Sequence, residues 1–202
     1  VDAIIHLVRC FESDKITHVN SKINPVEDLE TIKTEIILSD LDIIQKKLEK
    51  GKKKLLEEKE IKILEDKLTQ LNDGKEVVAK NKDEEKFLST LGLLSMKPKI
   101  IVCNVDEESL AKGNSFTDSV KKNYLDEKVI TICADIEDQI MGLDKNERET
   151  FMKEIGLNKT GLNQLIKEGY KLLNLDTFFT SGPEESRAWT VEKNTLAPKA
   201  AG

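Results

Sequence analysis

The stretch Lys99-Ile-Ile-Val-Cys-Asn-Val-Asp-Glu107 decides the fold class, because a short apolar run ends directly in polar residues. Such a run is typical of a strand that is buried on both faces of a parallel sheet. In open α/β sheets, ligands bind beyond the carboxyl ends of the strands, where Asn104 and Glu107 would lie. An amide beside a carboxylate can hydrogen-bond the edge of a purine. The stretch therefore predicts an α/β fold, and its polar end suits either a nucleotide base site or simply the exit of a strand.

Two further β-rich runs, residues 1–10 and 128–133, predict neighbouring strands that are covered on both faces. Residues 115–125 predict a crossover helix, so that residues 99–134 form one right-handed βαβ unit. Further helical patterns cover residues 136–141, residues 144–155 with Asp144, Glu147 and Gly156 as capping box and terminator, and a segment capped by Thr160. In the last segment one helical face carries Leu162, Leu165, Ile166, Tyr170 and Leu173.

The composition changes between Pro25 and Pro98, where two amphipathic patterns meet near Gly51. Their apolar positions are Leu29, Ile32, Ile36, Ile43 and Leu48, then Leu56, Ile61, Leu64, Leu68 and Leu71. Two such helices joined near a glycine predict an antiparallel hairpin, and the strands on both sides make it an insertion into the α/β domain. We therefore divide the chain into an α/β domain (1–24 and 99–174), a helical coiled-coil arm (25–98) and a third segment (175–202).

The third segment contains two strand patterns, residues 177–181 and 187–191, separated by Gly182-Pro183. Two strands alone are marginally stable in water, so we expect them to pack against other residues. Arg187 and Trp189 form the most conspicuous polar and aromatic pair here. They suit either partner binding or, as we predict, packing of Trp189 against the α/β domain.

Composition limits the class of protein and its compartment. The 202 residues are 38% hydrophobic, 35% charged and 4% aromatic, with a formal net charge of −6, which argues against a uniformly nucleic-acid-binding surface. No run approaches the ~20 apolar residues of a membrane span. Three cysteines, without paired spacing to His6 or His18, predict free buried thiols, no metal site and a cytoplasmic protein. The chain opens on Val1 within an apolar run and ends on Ala-Ala-Gly without a terminating element. We therefore expect it to be cut from a longer protein at both ends.

Several long motifs resemble the YchF (Obg-like) ATPase family, and together they run from the first residue to the last. They are Val-Asp-Ala-Ile-Ile-His-Leu-Val-Arg-Cys-Phe-Glu at 1–12, Asp-Lys-Ile-Thr-His-Val at 14–19, Asn-Pro-Val-Glu-Asp-Leu-Glu at 24–30, Phe-Phe-Thr-Ser-Gly-Pro at 178–183, Glu-Ser-Arg-Ala-Trp-Thr at 185–190 and Ala-Pro-Lys-Ala-Ala-Gly at 197–202. The resemblance implies a cytosolic P-loop ATPase with a helical arm and a C-terminal β-grasp (TGS) domain, of which residues 175–202 are the start.

The sequence contains no G-x-x-x-x-G-K-[ST] loop, the phosphate cradle of P-loop enzymes. We therefore expect no catalytic residue in this chain, which alone should be inactive. The resemblance implies ATP and Mg²⁺ as cofactors, with the phosphate and Mg²⁺ ligands outside these residues. The alternative is a non-enzymatic interaction module, in which the arm and the TGS segment bind a protein or RNA partner.

The resemblance also assigns a base-binding set. In P-loop GTPases the motif is Asn-Lys-x-Asp, whose carboxylate accepts two hydrogen bonds from guanine; here Asn104, Val105 and Glu107 stand at its positions. Because Val replaces Lys and Glu is longer than Asp, the resemblance implies a preference for ATP over GTP, or relaxed selectivity. Cys133 and Ala134 follow the next strand, where GTPases place Ser-Ala, whose backbone N–H contacts the base.

A second candidate site is the tip of the arm, where six lysines surround Gly51: Lys46, Lys47, Lys50, Lys52, Lys53 and Lys54. Such a cluster is either a solvated helix tip or a contact for the phosphates of RNA. No aromatic residue interrupts the lysines, so neither base stacking nor DNA sequence readout is expected. The ribosome association of the family favours contact with a ribosome or RNA.

Four residues at and after the first strand, Arg9, Asp14, Thr17 and His18, belong to a family-like segment. They suit either a switch near the nucleotide or a set of turn contacts. His6, within the strand, is expected to be a core residue.

Overall fold

A computed structural model describes residues 1–13, 22–51 and 56–200 of the chain. The predictions made for Asp14, Thr17 and His18, and for the lysines at 52–54, fall outside these described residues. The chain divides into two compact units. One comprises Val1–Pro25 and Pro98–Gly202, and the other comprises Val26–Lys97.

Helices and strands are interspersed along the described part of the chain. They are β1 (Ile4–Arg9), α1 (Pro25–Gly51), α2 (Glu58–Asn72), α3 (Lys82–Ser89), β2 (Lys99–Asn104), α4 (Ser115–Asn123), β3 (Lys128–Ile132), α5 (Ala134–Gly142), α6 (Lys145–Glu154), α7 (Gly161–Leu172), β4 (Leu175–Ser181), β5 (Ser186–Glu192) and α8 (Ala197–Ala200). In the described residues, no helix combines the length and apolar character needed to cross a membrane.

The first unit is built on a parallel sheet in the order β1-β2-β3, which confirms the α/β prediction. The register aligns Val8 with Cys103 and Cys103 with Thr131, so the carboxyl ends of all three strands meet at one edge. The central strand β2 is buried along its apolar run, as expected for a strand with neighbours on both sides.

Only one face of β1 is covered by the described residues. On that face Val8 is buried, whereas Ile5 and Leu7 on the other face are 54% and 58% exposed. The prediction that this strand is covered on both faces is therefore wrong for the described residues. The physical reason is the position of α7. Its apolar residues Leu165 and Leu172 pack on a cluster formed by β2 and β3, and the same face of β1 stays uncovered in the part of the chain that the structure describes.

Helix α6 begins and ends at the residues that its sequence predicts. Asp144 accepts hydrogen bonds from the backbone N–H groups of Asn146 and Glu147, and the Glu147 carboxylate accepts one from the Asp144 N–H. Gly156 follows with a φ of +71°, a left-handed conformation that glycine adopts without steric cost. The predicted capping box and terminator are confirmed.

The apolar face predicted for α7 is only partly buried. Thr160 caps this helix as predicted, by accepting a hydrogen bond from the Asn163 N–H. Leu165 packs on the sheet, but Leu162, Ile166 and Tyr170 remain 46%, 51% and 36% exposed. Helical periodicity groups these residues on one face, but the position of the sheet decides which of them are covered.

The second unit has its own hydrophobic core, through which α1 and α2 pack against each other. Its buried members are Ile37, Ile44, Leu48, Leu64, Leu71, Val77, Leu88 and Leu93. Helix α3 was not predicted, because its eight residues carry only Phe87 and Leu88 as large apolar side chains. The helix begins at Asn81, whose side chain accepts a hydrogen bond from the Glu84 N–H.

Strands β4 and β5 pair antiparallel and extend one or two residues beyond the predicted bounds. Trp189 remains 42% exposed, and its Nε1–H donates to the Thr180 hydroxyl of the opposite strand at 2.9 Å. The Arg187 guanidinium lies 5.1 Å from the Trp189 ring centre. Both of these contacts lie within the hairpin, and packing of Trp189 against the α/β domain stays a prediction.

Candidate nucleotide base-binding site

The predicted base-binding residues meet where β2 and β3 end. Asn104 is the last residue of β2 and pairs with Ile132 at the end of β3, so the following residues Cys133 and Ala134 lie beside it. The Asn104 Oδ1 accepts a hydrogen bond from the Ala134 N–H at 3.0 Å. This bond fixes the amide, so that its Nδ2 donor faces away from Ala134.

The side chain of Val105 is buried, unlike those of Asn104 and Glu107 in the same predicted base-binding set. Its side chain is 2% exposed, and its backbone N–H donates to the Ile132 carbonyl at 2.8 Å. The valine side chain is therefore part of the hydrophobic core at the end of the sheet. Contact of this residue with a base would have to come from its backbone.

Glu107 lies on the turn that follows, with its side chain exposed. Asp106 shapes this turn, since its Oδ1 accepts a hydrogen bond from the Ser109 N–H at 2.9 Å. The Glu107 carbonyl accepts one from the Leu110 N–H at 3.2 Å. Among the residues that the structure describes, none donates a hydrogen bond to the Glu107 carboxylate or forms an ion pair with it.

Cys133 is buried and stands at the N-cap position of α5. Burial raises the pKa of its thiol, and hydrogen bonds from the Ile136 and Asp135 backbone act in the opposite direction. The thiol therefore stays neutral at physiological pH. Cys10, Cys103 and Cys133 are all buried and belong to no disulfide among the described residues, as the sequence predicted.

Asn114 is the residue at this edge that the sequence reasoning missed. Its Nδ2 donates to the Cys10 carbonyl at 2.7 Å and to the Ser109 hydroxyl at 3.1 Å. Its Oδ1 accepts from the Thr117 N–H, which caps α4. An Asn three residues before a Thr signals a helix start in the sequence. No local sequence pattern signals the contact between Asn114 and Cys10, which are 104 positions apart.

Arg9 fixes the chain directly after β1. Its Nε donates to the Phe11 carbonyl at 3.0 Å and its Nη2 to the Ser13 carbonyl at 3.3 Å, while the guanidinium lies 4.9 Å from the Phe11 ring centre. Two roles suit this segment, a switch near the nucleotide and a set of turn contacts. The contacts of Arg9 support the second. His6 is 7% exposed, as expected for a core residue.

The arm tip belongs to the second unit, and its described lysines differ in their surroundings. The Lys46 Nζ forms an ion pair with the Asp42 carboxylate at 2.6 Å on the same helix. Lys47 is half-buried and Lys50 is exposed. The site prediction for this cluster stays a prediction. Within the described ranges, no cluster of His, Cys, Asp or Glu has the arrangement of a metal site.

Comparison with known proteins gives relatives over the whole chain. It is 41% identical to the Ribosome-binding ATPase YchF of Escherichia coli O157:H7 and 38% identical to that of Bacillus subtilis, with each alignment covering all of this chain and 58% of the relative. The solved structure of the Schizosaccharomyces pombe YchF GTPase matches the whole chain and 58% of its own length, with a TM-score of 0.85 and 30% identity.

A family model named YchF-GTPase_C and described as a protein of unknown function (DUF933) matches residues 175–202. The chain thus spans a little over half the length of the relatives that it matches. Sequence identity along the entire chain, the same fold and the matching C-terminal segment agree with one another. Over its whole length the chain is therefore similar to members of the YchF family.

Proposed function

We propose that this chain is the base-reading part and the helical arm of a cytoplasmic ATPase that associates with ribosomes. The bacterial relatives are named ribosome-binding ATPases, which supports both the reaction and the partner. The observation that carries the nucleotide part of the proposal is the hydrogen bond between Asn104 and Ala134 at the sheet edge.

The orientation of Asn104 suits adenine. Its Nδ2 is a donor for the acceptor N7 of a purine, and its Oδ1 retains a second lone pair for the adenine N6 amino group. Adenine presents one acceptor and one donor along this edge, which matches the donor and acceptor of an Asn side chain. Asn104 is thus the residue that reads the base.

Guanine fits the same edge less well, because its N7 and O6 are both acceptors and require two donors. Asn104 supplies one, and the Ala134 N–H already donates to the Asn104 Oδ1. Val105 offers no aliphatic stem to the base because it is buried in the core. The proposed preference is therefore ATP over GTP, with Glu107 and the chain at Cys133 and Ala134 bordering the base.

The remaining parts of the enzyme follow from the similarity to this family. We assign residues 1–24 and 99–174 to the nucleotide-binding domain, 25–98 to the arm and 175–202 to the start of a TGS domain. ATP hydrolysis needs a phosphate cradle and a Mg²⁺ ligand, and this sequence contains no P-loop. The groups that hold the phosphates and Mg²⁺ are thus expected outside these 202 residues, and the chain alone is expected to be inactive.

Calorimetric titration of the complete natural protein with ATP and with GTP tests this function. Asn104→Ala is expected to weaken ATP binding roughly tenfold to a hundredfold, since it removes a donor and an acceptor from a desolvated base. Glu107→Asp, which restores the carboxylate of the GTPase motif, is expected to shift the preference toward GTP. Asn123→Ala is the matched control, because Asn123 is exposed on α4 and, among the described residues, its side chain donates only to the Ser119 carbonyl.

Unchanged ATP affinity in Asn104→Ala would exclude the proposed base site. Absence of binding of either nucleotide by the natural protein would instead favour the second candidate function, a non-enzymatic module that binds RNA or protein. The exposed Lys50 at the arm tip is the observation that supports this candidate.

A further inference from the structure

Asn114 joins three parts of the chain that border the proposed base site. Through Nδ2 it donates to the Cys10 carbonyl at the exit of β1 and to the Ser109 hydroxyl in the loop after β2. Through Oδ1 it caps α4. One side chain therefore connects two neighbouring strand ends and a helix start.

The contact with Cys10 leads directly to the base-reading residue. The Cys10 N–H donates to the Asn104 carbonyl at 2.7 Å, while the Cys10 carbonyl accepts the hydrogen bond of Asn114. Cys10 is thus held on one side by Asn104 and on the other by Asn114. Both ends of the loop that carries Glu107 are therefore fixed to Cys10, the residue that follows β1.

The loop itself has a defined internal conformation. The Gly113 N–H donates to the Ser109 carbonyl at 2.7 Å, and Gly113 has a φ of +75°. A Cβ at Gly113 would lie 2.7 Å from the Thr117 hydroxyl, so the backbone passes close to the first turn of α4. Fixing the ends of a loop removes conformations that it would otherwise lose on binding a ligand.

We propose that Asn114 is a positioning residue for nucleotide binding, which sets the Glu107 loop and the Asn104 backbone through Cys10 before the base arrives. This inference rests on the proposed function, since it names a residue that supports the same site. Asn114 does not need to touch the nucleotide. Its effect comes from preorganisation of the residues that do.

The two roles of Asn114 can be separated by substitution. Serine also caps helices well, so Asn114→Ser keeps an acceptor for the Thr117 N–H and removes both Nδ2 donors. Asn114→Asp likewise keeps the cap, but places a carboxylate oxygen against the Cys10 carbonyl. If the tether positions the site, both variants lower nucleotide affinity while α4 stays folded.

The experiment measures binding of fluorescent methylanthraniloyl derivatives of ATP and GTP to the complete natural protein, together with amide hydrogen exchange over residues 105–113. Asn114→Ser is expected to raise the dissociation constant for the ATP derivative about tenfold, to narrow the preference for ATP over GTP, and to speed exchange in the loop. A merely structural role would not change the ATP-to-GTP ratio.

Asn81→Ser is the matched control, since Asn81 caps α3 in the second unit through the same Oδ1 contact to a backbone N–H. It is expected to leave nucleotide binding unchanged. Equal nucleotide binding by Asn114→Ser, Asn114→Asp and the natural protein would overturn the inference alone. Unchanged binding in Asn104→Ala would overturn the base site and this inference together.

Discussion

At the scale of single residues, Gly161 shows how close packing restricts the sequence. Its N–H donates to the Glu137 carboxylate at 2.5 Å, and a Cβ at this position would lie 2.5 Å from the Ile132 Cγ2. The start of α7 therefore lies directly against β3 and α5. No side chain larger than hydrogen fits without a shift of the Ile132 side chain.

We expect Gly161→Ala to lower the free energy of unfolding by about 1–3 kcal/mol, because the added methyl group overpacks the contact with Ile132. Gly169→Ala in the same helix is the control, since its Cβ would have no neighbour within 4 Å and Ala favours helix by about 1 kcal/mol. Urea denaturation of both variants measures the difference. Equal stability changes in the two variants would contradict the proposed packing.

Lys67 is a second residue whose role depends on burial. Its side chain is fully buried, and its Nζ contacts Glu84 at 3.1 Å, Asp66 at 2.9 Å and the Val78 carbonyl at 2.8 Å. Glu84 is itself only 4% exposed. The charges of this pair are therefore compensated by each other and by hydrogen bonds rather than by water.

Lys67→Met is expected to cost about 3–5 kcal/mol of stability, because it leaves the Glu84 carboxylate buried without its cation. The double variant Lys67→Met with Glu84→Gln should recover a large part of this loss, since no uncompensated charge remains. Thermal and urea unfolding measure both. Lys62→Met removes the exposed pair with Glu58 on the same helix and should leave stability unchanged. An equally stable Lys67→Met protein would contradict the prediction.

At the scale of elements, the arm depends on a contact that joins its long helix to a distant turn. Asp40 on α1 is fully buried and accepts hydrogen bonds from the N–H groups of Leu94 and Ser95, both at 2.8 Å. The Ser95 hydroxyl in turn accepts one from the Val77 N–H. These hydrogen bonds hold the turn at Leu94 and Ser95 against α1.

The tip of the arm carries the prediction for RNA contact. Lys50→Glu with Lys53→Glu is expected to weaken cosedimentation of the complete protein with purified ribosomes, and to lower the slope of log affinity against log salt by about 0.7–0.9 per lost phosphate contact. Lys33→Glu on α1 with Lys75→Glu after α2 changes the net charge equally, at positions toward the ends of these helices that lie far from Gly51. If both double variants lose the same affinity and slope, the tip is only a solvated helix end.

At the scale of the whole molecule, each of the two proposed interactions belongs to a different compact unit. The unit of Val26–Lys97 has a core formed by its own residues, and the sheet unit has another. Base reading is proposed for the sheet unit and ribosome contact for the arm. Variants in one unit are therefore expected to leave the fold of the other intact, so the two proposals can be tested separately.

The sequence alone determined the features that local chemistry controls. The apolar run before Asn104 predicted a buried parallel strand, two amphipathic patterns predicted α1 and α2, and Asp144 with Glu147 predicted the start of α6. Each depends on residues a few positions apart, so periodicity and capping rules are sufficient to recognise them. The motifs resembling the YchF family also lie in the sequence itself.

Only the tertiary structure decided the contacts between distant residues. The bond from Ala134 to Asn104 spans 30 positions and that from Asn114 to Cys10 spans 104. Likewise, the burial of Lys67 and the exposure of Ile166 depend on where other elements pack, and spacing along the chain does not encode this. The sequence placed polar residues at the ends of strands, but parallel pairing of β1, β2 and β3 brought them together, because neighbouring parallel strands end at the same edge of the sheet.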